Sequence, residues 1–213
     1  MAGVSQEIYA VAFRNVTGRD LEHAPDLAGR TDYELVATTL ALHGIEALPV
    51  LFDAFFTALA QGTQERIEDI RLNGRALAGA HAAIEAFAAL EGSVQTVATG
   101  NVAAVARTKL AVFGLGIHLD LEIGGYGSDC PDRATLIRTA RQRAETKHGA
   151  GIPDKKVVVV GDTPNDIAGA RANGVVAVGV ATGRFGLADL RAAGADLVLP
   201  SLEEHDPLVE LLR

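Results

Sequence analysis

The sequence predicts an α/β protein in which a helical portion over residues 1–78 precedes a Rossmann-like parallel sheet over residues 79–213. Three observations predict it. Residues Val4 to Ile84 carry apolar positions at helical spacing and contain no convincing strand. From Ser93 onward, short β-branched runs alternate with helical stretches, the grammar of right-handed βαβ units. Within that half, Val157-Val158-Val159-Val160 runs without interruption into Gly161-Asp162, which reads as a strand buried on both faces of a parallel sheet.

The elements follow in order. Ile8, Val11, Ala12 and Val16 form a helical stripe that stops at Gly18. Thr31-Asp32-Tyr33-Glu34 has the form of a capped helix start, and that helix ends near His43-Gly44. Leu51, Phe55, Phe56 and Leu59 continue on helical spacing, Ile67 and Ile70 resume it, and Asn73-Gly74 breaks it. Ala82 to Leu90 predicts one more helix. Val94 to Thr99 predicts a strand, followed by Gly100-Asn101 and a helix to about Leu115. Leu119 to Ile123 predicts a second, short strand, Gly124 to Gly127 a loop, and Pro131 to His148 a long helix. After the valine strand, Thr163 caps a helix with Pro164 at its first position. Val175–Val180 and Leu197–Pro200 complete the strands, with helices around Leu187–Ala193 and at the end of the chain.

Composition narrows the function. The net charge of -8 argues against a nucleic-acid or anionic-membrane partner. An acidic protein that handles an anion needs a metal or a few well-placed basic residues. One cysteine, Cys130, rules out an intramolecular disulfide framework and fits a reducing compartment. No apolar run is long enough for a membrane span, and the first residues do not form a signal peptide, so a cytoplasmic protein is expected. The six histidines show no metal-ligand spacing. Oligomeric state is not legible.

The strongest chemical signal is Gly161-Asp162-Thr163-Pro164-Asn165-Asp166. Asp162 falls where the strand ends and Asp166 within the first helical turn, so both carboxylates belong to the carboxyl edge of a sheet, where open α/β proteins bind ligands. They read either as a cap and a solvated acid, or as a seat for a hard divalent cation such as Mg²⁺. The valine run, the Gly-Asp break and the second acid favour the cation.

These residues resemble the fourth motif of the haloacid dehalogenase superfamily, specifically its phosphatases with a helical cap, such as phosphoglycolate phosphatase. The resemblance covers nearly the whole chain and implies that residues 1–78 are the cap region. It places Asp162 and Asp166 as magnesium ligands. Thr99-Gly100-Asn101 is similar to the second motif, which implies that the Thr99 hydroxyl binds a phosphoryl group with Gly100 and Asn101 beside it; alone, the tripeptide is as well explained by a capped turn. The third motif supplies a lysine or arginine. Lys155 and Lys156 precede their strand and Lys109 lies inside a helix, where it is expected to be solvated or leaning away, so Arg133 takes the role, although Cys130-Pro131-Asp132-Arg133 replaces the usual Lys-Pro arrangement. Cys130 reads as a small loop residue. Arg30, in Gly29-Arg30-Thr31-Asp32, either reaches a substrate anion or is a solvated helix-start arginine. The implied substrate is a small phosphorylated metabolite.

The family's first motif, Asp-x-Asp-Gly-Thr, does not occur in the 213 residues. Asp120-Leu121-Glu122 stands in the wrong order, with no Gly-Thr after it. The opening residues resemble the segment that follows the first motif in relatives, so the central first strand and its nucleophile are expected to be missing. An upstream start accounts for this more simply than an adapted pseudoenzyme. The resemblance thus implies an Mg²⁺-dependent phosphatase plan without turnover as written, or a non-catalytic phosphate- or metal-binding or interaction protein. The strands ending at Thr99 and Gly161 are expected to lose ladder partners, so that either they close up or the molecule is less stable than its relatives.

Overall fold

The computed structural model of the chain describes residues 2–27 and 29–212. They gather into two compact units, one of residues 2–27, 29–75, 99–114 and 126–131, the other of residues 76–98, 115–125 and 132–212.

The first unit is helical. Its elements are α1 (Ala2–Thr17), α2 (Asp32–Leu42), α3 (Pro49–Glu65), α4 (Ile67–Asn73) and α6 (Ala103–Val112), the last following α5 (Ala80–Ala88) of the other unit. The Thr31 side chain caps α2 by accepting from the Glu34 N–H, as its sequence predicts. The helical stripe of α1 supplies Ile8, Ala12 and Phe13 to a core with Val36, Leu40, Phe55 and Ile70, and α6 adds Val105. Aromatic rings tie that core together, with Tyr33 and Phe52 stacked at 4.3 Å and Phe13 tilted on His43 at 4.5 Å.

The second unit carries the parallel sheet β3 (Val158–Gly161), β4 (Val176–Val180) and β5 (Leu197–Leu199), in that spatial order. Val158 pairs with Val176, and Val178 with Leu197. Helices α7 (Arg133–His148), α8 (Pro164–Ala172) and α9 (Leu187–Ala192) contribute Ile137, Ile167, Ala170 and Leu190 to a core with Ala177. Val178, Leu199 and Leu208, the last from α10 (Asp206–Leu212), form a second cluster, with Phe87 of α5 packed against it.

Three expectations are corrected. The strand predicted over Val94–Thr99 shrinks to β1 (Ala98–Thr99), and Leu119–Ile123 is a turn; the pairing strand is β2 (Gly125–Tyr126), inside the predicted loop. The reason is local. The Glu122 N–H donates to the Asp120 carboxylate at 3.1 Å, an Asx turn that closes the segment before it can extend. The Asp120 N–H still reaches the Gln95 carbonyl at 2.8 Å, and the Thr96 hydroxyl donates to the Asp120 carbonyl at 2.7 Å, bonds that stand in place of a regular ladder.

The third correction concerns the valine run. β3 is not buried on both faces: Val158 and Val159 are half-buried and Val160 is 42% exposed. Its only ladder is to β4, and among the described residues no strand pairs with its other edge. The Val176 N–H donates to the Val157 carbonyl at 3.0 Å. Alternate residues of a parallel strand bond the same neighbour, so Val157, Val159 and Gly161 serve β4, whereas Val158 and Val160 turn their N–H and C=O groups the other way. Among the described residues β3 has not closed up on another strand at that edge. The strand buried over most of its length is β4, where Ala177 and Val178 have no exposed surface.

Candidate functional site

The acidic turn forms as its residues dictate. Gly161 ends β3, Thr163 caps α8, and Pro164 occupies the first position of that helix. The capping box is complete: Asp166 Oδ2 accepts from the Thr163 N–H at 3.1 Å and from the Thr163 hydroxyl at 2.8 Å, and Thr163 Oγ1 accepts from the Asp166 N–H at 3.3 Å. Only Oδ1 of Asp166 is left for other work. Glycines make room for both acids. A Cβ on Gly161 would overlap the Asp166 carboxylate, and one on Gly183 would overlap the Asp162 carboxylate.

Arg133 joins these acids within the second unit. It is the first residue of α7, a helix capped by Asp132, whose carboxylate accepts from the Thr135 N–H at 2.8 Å. Its Nη1 donates to the Ala98 carbonyl at 3.1 Å, and its Nε lies 3.4 Å from Asp166 Oδ1. The same Nε is buried and makes no hydrogen bond among the described residues, so the pairing with Asp166 is electrostatic. Gly169 of α8 lets the arginine stem lie flat, because a Cβ there would sit 3.0 Å from Arg133 Cγ.

Electrostatics single out Asp162. Burial pushes its carboxyl above the ordinary aspartate value of 3.8, the neighbouring Asp166 charge adds to the rise, and Arg133 opposes it. Negative charge on Asp162 is therefore disfavoured where it stands, beside the Asp166 carboxylate.

Thr99, Gly100, Asn101 and Arg30 lie in the first unit. Thr99 ends β1, and its Oγ1 accepts the Asn101 N–H at 3.2 Å. A Cβ on Gly100 would overlap the Arg30 carbonyl, so the turn after Thr99 is pressed against residues 30–32. The Asn101 side chain is engaged at both ends, with Nδ2 3.5 Å from Asp32 Oδ2 and Oδ1 accepting from Lys109 Nζ at 3.0 Å. The Arg30 guanidinium lies along α2, donating to Glu34 at 2.9 Å and to the Thr38 hydroxyl at 2.7 Å.

Lys109 does not lean into solvent as expected. It reaches back along α6 to Asn101, and burial lowers its pKa against the pull of Asp32. Asp32, taken only as a helix-start acid, is buried, and it was missed because nothing in a Thr-Asp helix start reports a partner seventy residues on (Val102 N–H to Asp32 Oδ2, 2.7 Å). Thr182 and Gly183 were also missed. They follow β4 just as Asp162 follows β3, so the carboxyl-edge rule applied to every strand would have found them. The Thr182 hydroxyl is buried without a hydrogen-bond partner among the described residues. A hollow of about 440 Å³ beside α7, lined by Glu122, Ile123, Gln142 and Lys147 among others, includes none of the assigned residues.

Comparisons with known proteins agree with this architecture. A hydrolase from Pseudomonas syringae superposes with a TM-score of 0.66 at 19% identity, covering 98% of this chain and 91% of that one. A HAD hydrolase of family IA, variant 3, from Entamoeba histolytica gives 0.65 at 17%, covering 99% and 92%. A predicted phosphoglycolate phosphatase from Haemophilus somnus gives 0.61 at 18%, covering 96% and 89%. At these identities the likeness establishes the fold. No curated protein sequence matches the chain. The profile of the haloacid dehalogenase-like hydrolases matches residues 4–171, the greater part of the sequence. The chain belongs to the haloacid dehalogenase-like hydrolase family.

Proposed function

We propose that the chain is built on the plan of an Mg²⁺-dependent phosphatase for a small phosphate monoester, similar to phosphoglycolate phosphatase, and that its 213 residues bind without turnover. The observation that carries this is the pairing of Arg133 with Asp166, 3.4 Å apart beside an Asp162 whose charge is disfavoured by burial. Two carboxylates with no histidine or thiolate in their set suit a hard cation, and Mg²⁺ is commonly held by one or two carboxylates with water and substrate phosphate completing its shell. When bound, Mg²⁺ would neutralise charge on a phosphoryl group.

The remaining roles fall to the chain's own groups. Asp162 and Asp166 hold the metal. Arg133 is anchored on Ala98 through Nη1, and its guanidinium charge is assigned to the phosphoryl group. Thr99 accepts from its own turn through Oγ1, and its hydroxyl donates to no acceptor among the described residues, so its proton is assigned to the phosphoryl group. Gly100 and Asn101 shape that turn, and Arg30, paired with Glu34, is assigned to the substrate's distal anion. The absence of Asp-x-Asp-Gly-Thr from the sequence removes the attacking carboxylate and the acid–base partner, so chemistry stops at binding. That absence equally favours a second reading, a non-catalytic phosphate- or metal-binding protein on the same fold.

Titration calorimetry with Mg²⁺ and inorganic phosphate, beside an assay with p-nitrophenyl phosphate, tests the proposal. Mg²⁺ binding that Asp162→Asn abolishes, with no turnover, is the expected result. Turnover sensitive to Asp162→Asn removes the claim of inactivity; a protein that binds neither Mg²⁺ nor phosphate removes the whole reading.

A further inference from the structure

The first unit contains a buried charged pair that the proposed chemistry does not use. Asp32, in the first turn of α2, sends its N–H to the Gly100 carbonyl at 2.6 Å. Its Oδ2 takes the Val102 N–H at 2.7 Å and lies 3.5 Å from Asn101 Nδ2. From the other side, Lys109 Nζ on α6 donates to Asn101 Oδ1 at 3.0 Å. The Asn101 amide therefore spans an anion and a cation. An amide has a donor end and an acceptor end, so only one of its two orientations satisfies both neighbours. Side chains from two helices thus fix one short stretch of backbone, residues 99–102.

A turn of this kind needs none of that machinery to exist. The Asn101 N–H to Thr99 Oγ1 bond at 3.2 Å is a local hydroxyl turn that forms on its own. Burial raises the Asp32 pKa and lowers that of Lys109, so each group is held where its charge is penalised. Apolar residues of similar volume at such places are often no less stable, and a buried pair is best understood where it selects one conformation. The conformation selected here is the one in which Thr99 Oγ1 is occupied as an acceptor and its proton is unspent.

We propose that Asp32, Asn101 and Lys109 are positioning residues that lock the Thr99–Val102 turn and so aim the Thr99 hydroxyl at an incoming phosphate. The proposal rests on the assignment of Thr99 to the phosphoryl group. It adds that residues in a helix start and a helix interior set the affinity for that group without touching it. Gly100 and Gly127 complete the arrangement: the Gly127 N–H donates to the Asn101 carbonyl at 2.9 Å, and a Cβ on Gly127 would overlap the Gly100 carbonyl.

The experiment is calorimetric titration with inorganic phosphate in Mg²⁺, run beside amide hydrogen exchange on the full chain. Lys109→Met and Asn101→Ala are each expected to weaken phosphate binding roughly tenfold and to speed exchange at Asn101 and Val102 by a similar factor, with exchange in α1 unchanged. Lys109→Arg keeps a cationic donor and should return affinity to within about threefold of the parent. Should the single variants fold poorly, the neutral double variant Asp32→Asn with Lys109→Met is expected to regain stability over either single change while keeping the weak phosphate binding. Unchanged affinity in Lys109→Met, or unchanged exchange at Asn101 and Val102, overturns the proposal. A parent protein that binds no phosphate, with exchange at the turn still dependent on Lys109, defeats the assignment of Thr99 and leaves only the lock on the turn.

Discussion

Arg133 Nε and Asp166 Oδ1 stand 3.4 Å apart, with both side chains about 15% exposed, at the start of two helices that meet over Gly169. A guanidinium at the first residue of α7 faces the one oxygen of Asp166, in the first turn of α8, that the capping box leaves over. Breaking a pair this buried leaves one charge without compensation. Arg133→Met is expected to lower stability by about 3 kcal/mol in urea unfolding and to weaken phosphate binding. Arg133→Lys keeps the charge but loses the planar fork, and should recover part of the stability and little of the binding.

The raised pKa of Asp162 fixes a pH dependence. A carboxyl that binds its proton more tightly when folded makes the folded state hold more protons than the unfolded chain between the two pKa values. Stability therefore falls as pH rises through the window that opens at 3.8 and closes at the raised value. Asp162→Asn removes this contribution, and thermal melts from pH 4 to 7 are expected to show a shallower decline and a higher Tm near neutrality. Mg²⁺ should raise the Tm of the parent and leave that of Asp162→Asn unchanged.

Glycine substitutions separate crowded turns from open ones. Gly127→Ala forces a methyl group onto the Gly100 carbonyl, and a loss of about 3 kcal/mol is expected, read as a lower urea midpoint. Gly3, within α1, has nothing within 4 Å of its added Cβ, so Gly3→Ala should be neutral or stabilising by up to about 1 kcal/mol.

Valine substitutions test the open side of the sheet. Val160→Thr places a hydroxyl at a position 42% exposed and should change stability by less than about 0.5 kcal/mol. Val178→Thr buries the same hydroxyl in β4, where no surface is exposed, and should cost about 2 kcal/mol. Equal effects at the two positions would mean that the valine strand is covered after all.

Much of this was legible in the sequence, for reasons that differ between elements. Caps and helical stripes are local, so Thr31, Thr163 and the run from Ile8 to Val16 announced α2, α8 and α1 directly. The end of the valine strand was legible too, with Asp162 just after it and Asp166 in the first turn of the next helix, and so was the place of Arg133 at the start of α7. Burial was not legible. Four valines in a row report that a strand can be covered on both sides, whereas the cover depends on whether another strand arrives. The clamp on Asn101 escaped for the opposite reason, since Asp32 and Lys109 are ordinary helix residues until the fold brings them to one amide.

The edge of β3 that no strand pairs among the described residues has a consequence for how the protein behaves in a test tube. Val158 and Val160 offer a ready template on which any extended chain, including a neighbour's, gains main-chain bonds without displacing a native one. Self-association that grows with concentration, and that Val160→Lys suppresses, is the behaviour such a strand imposes.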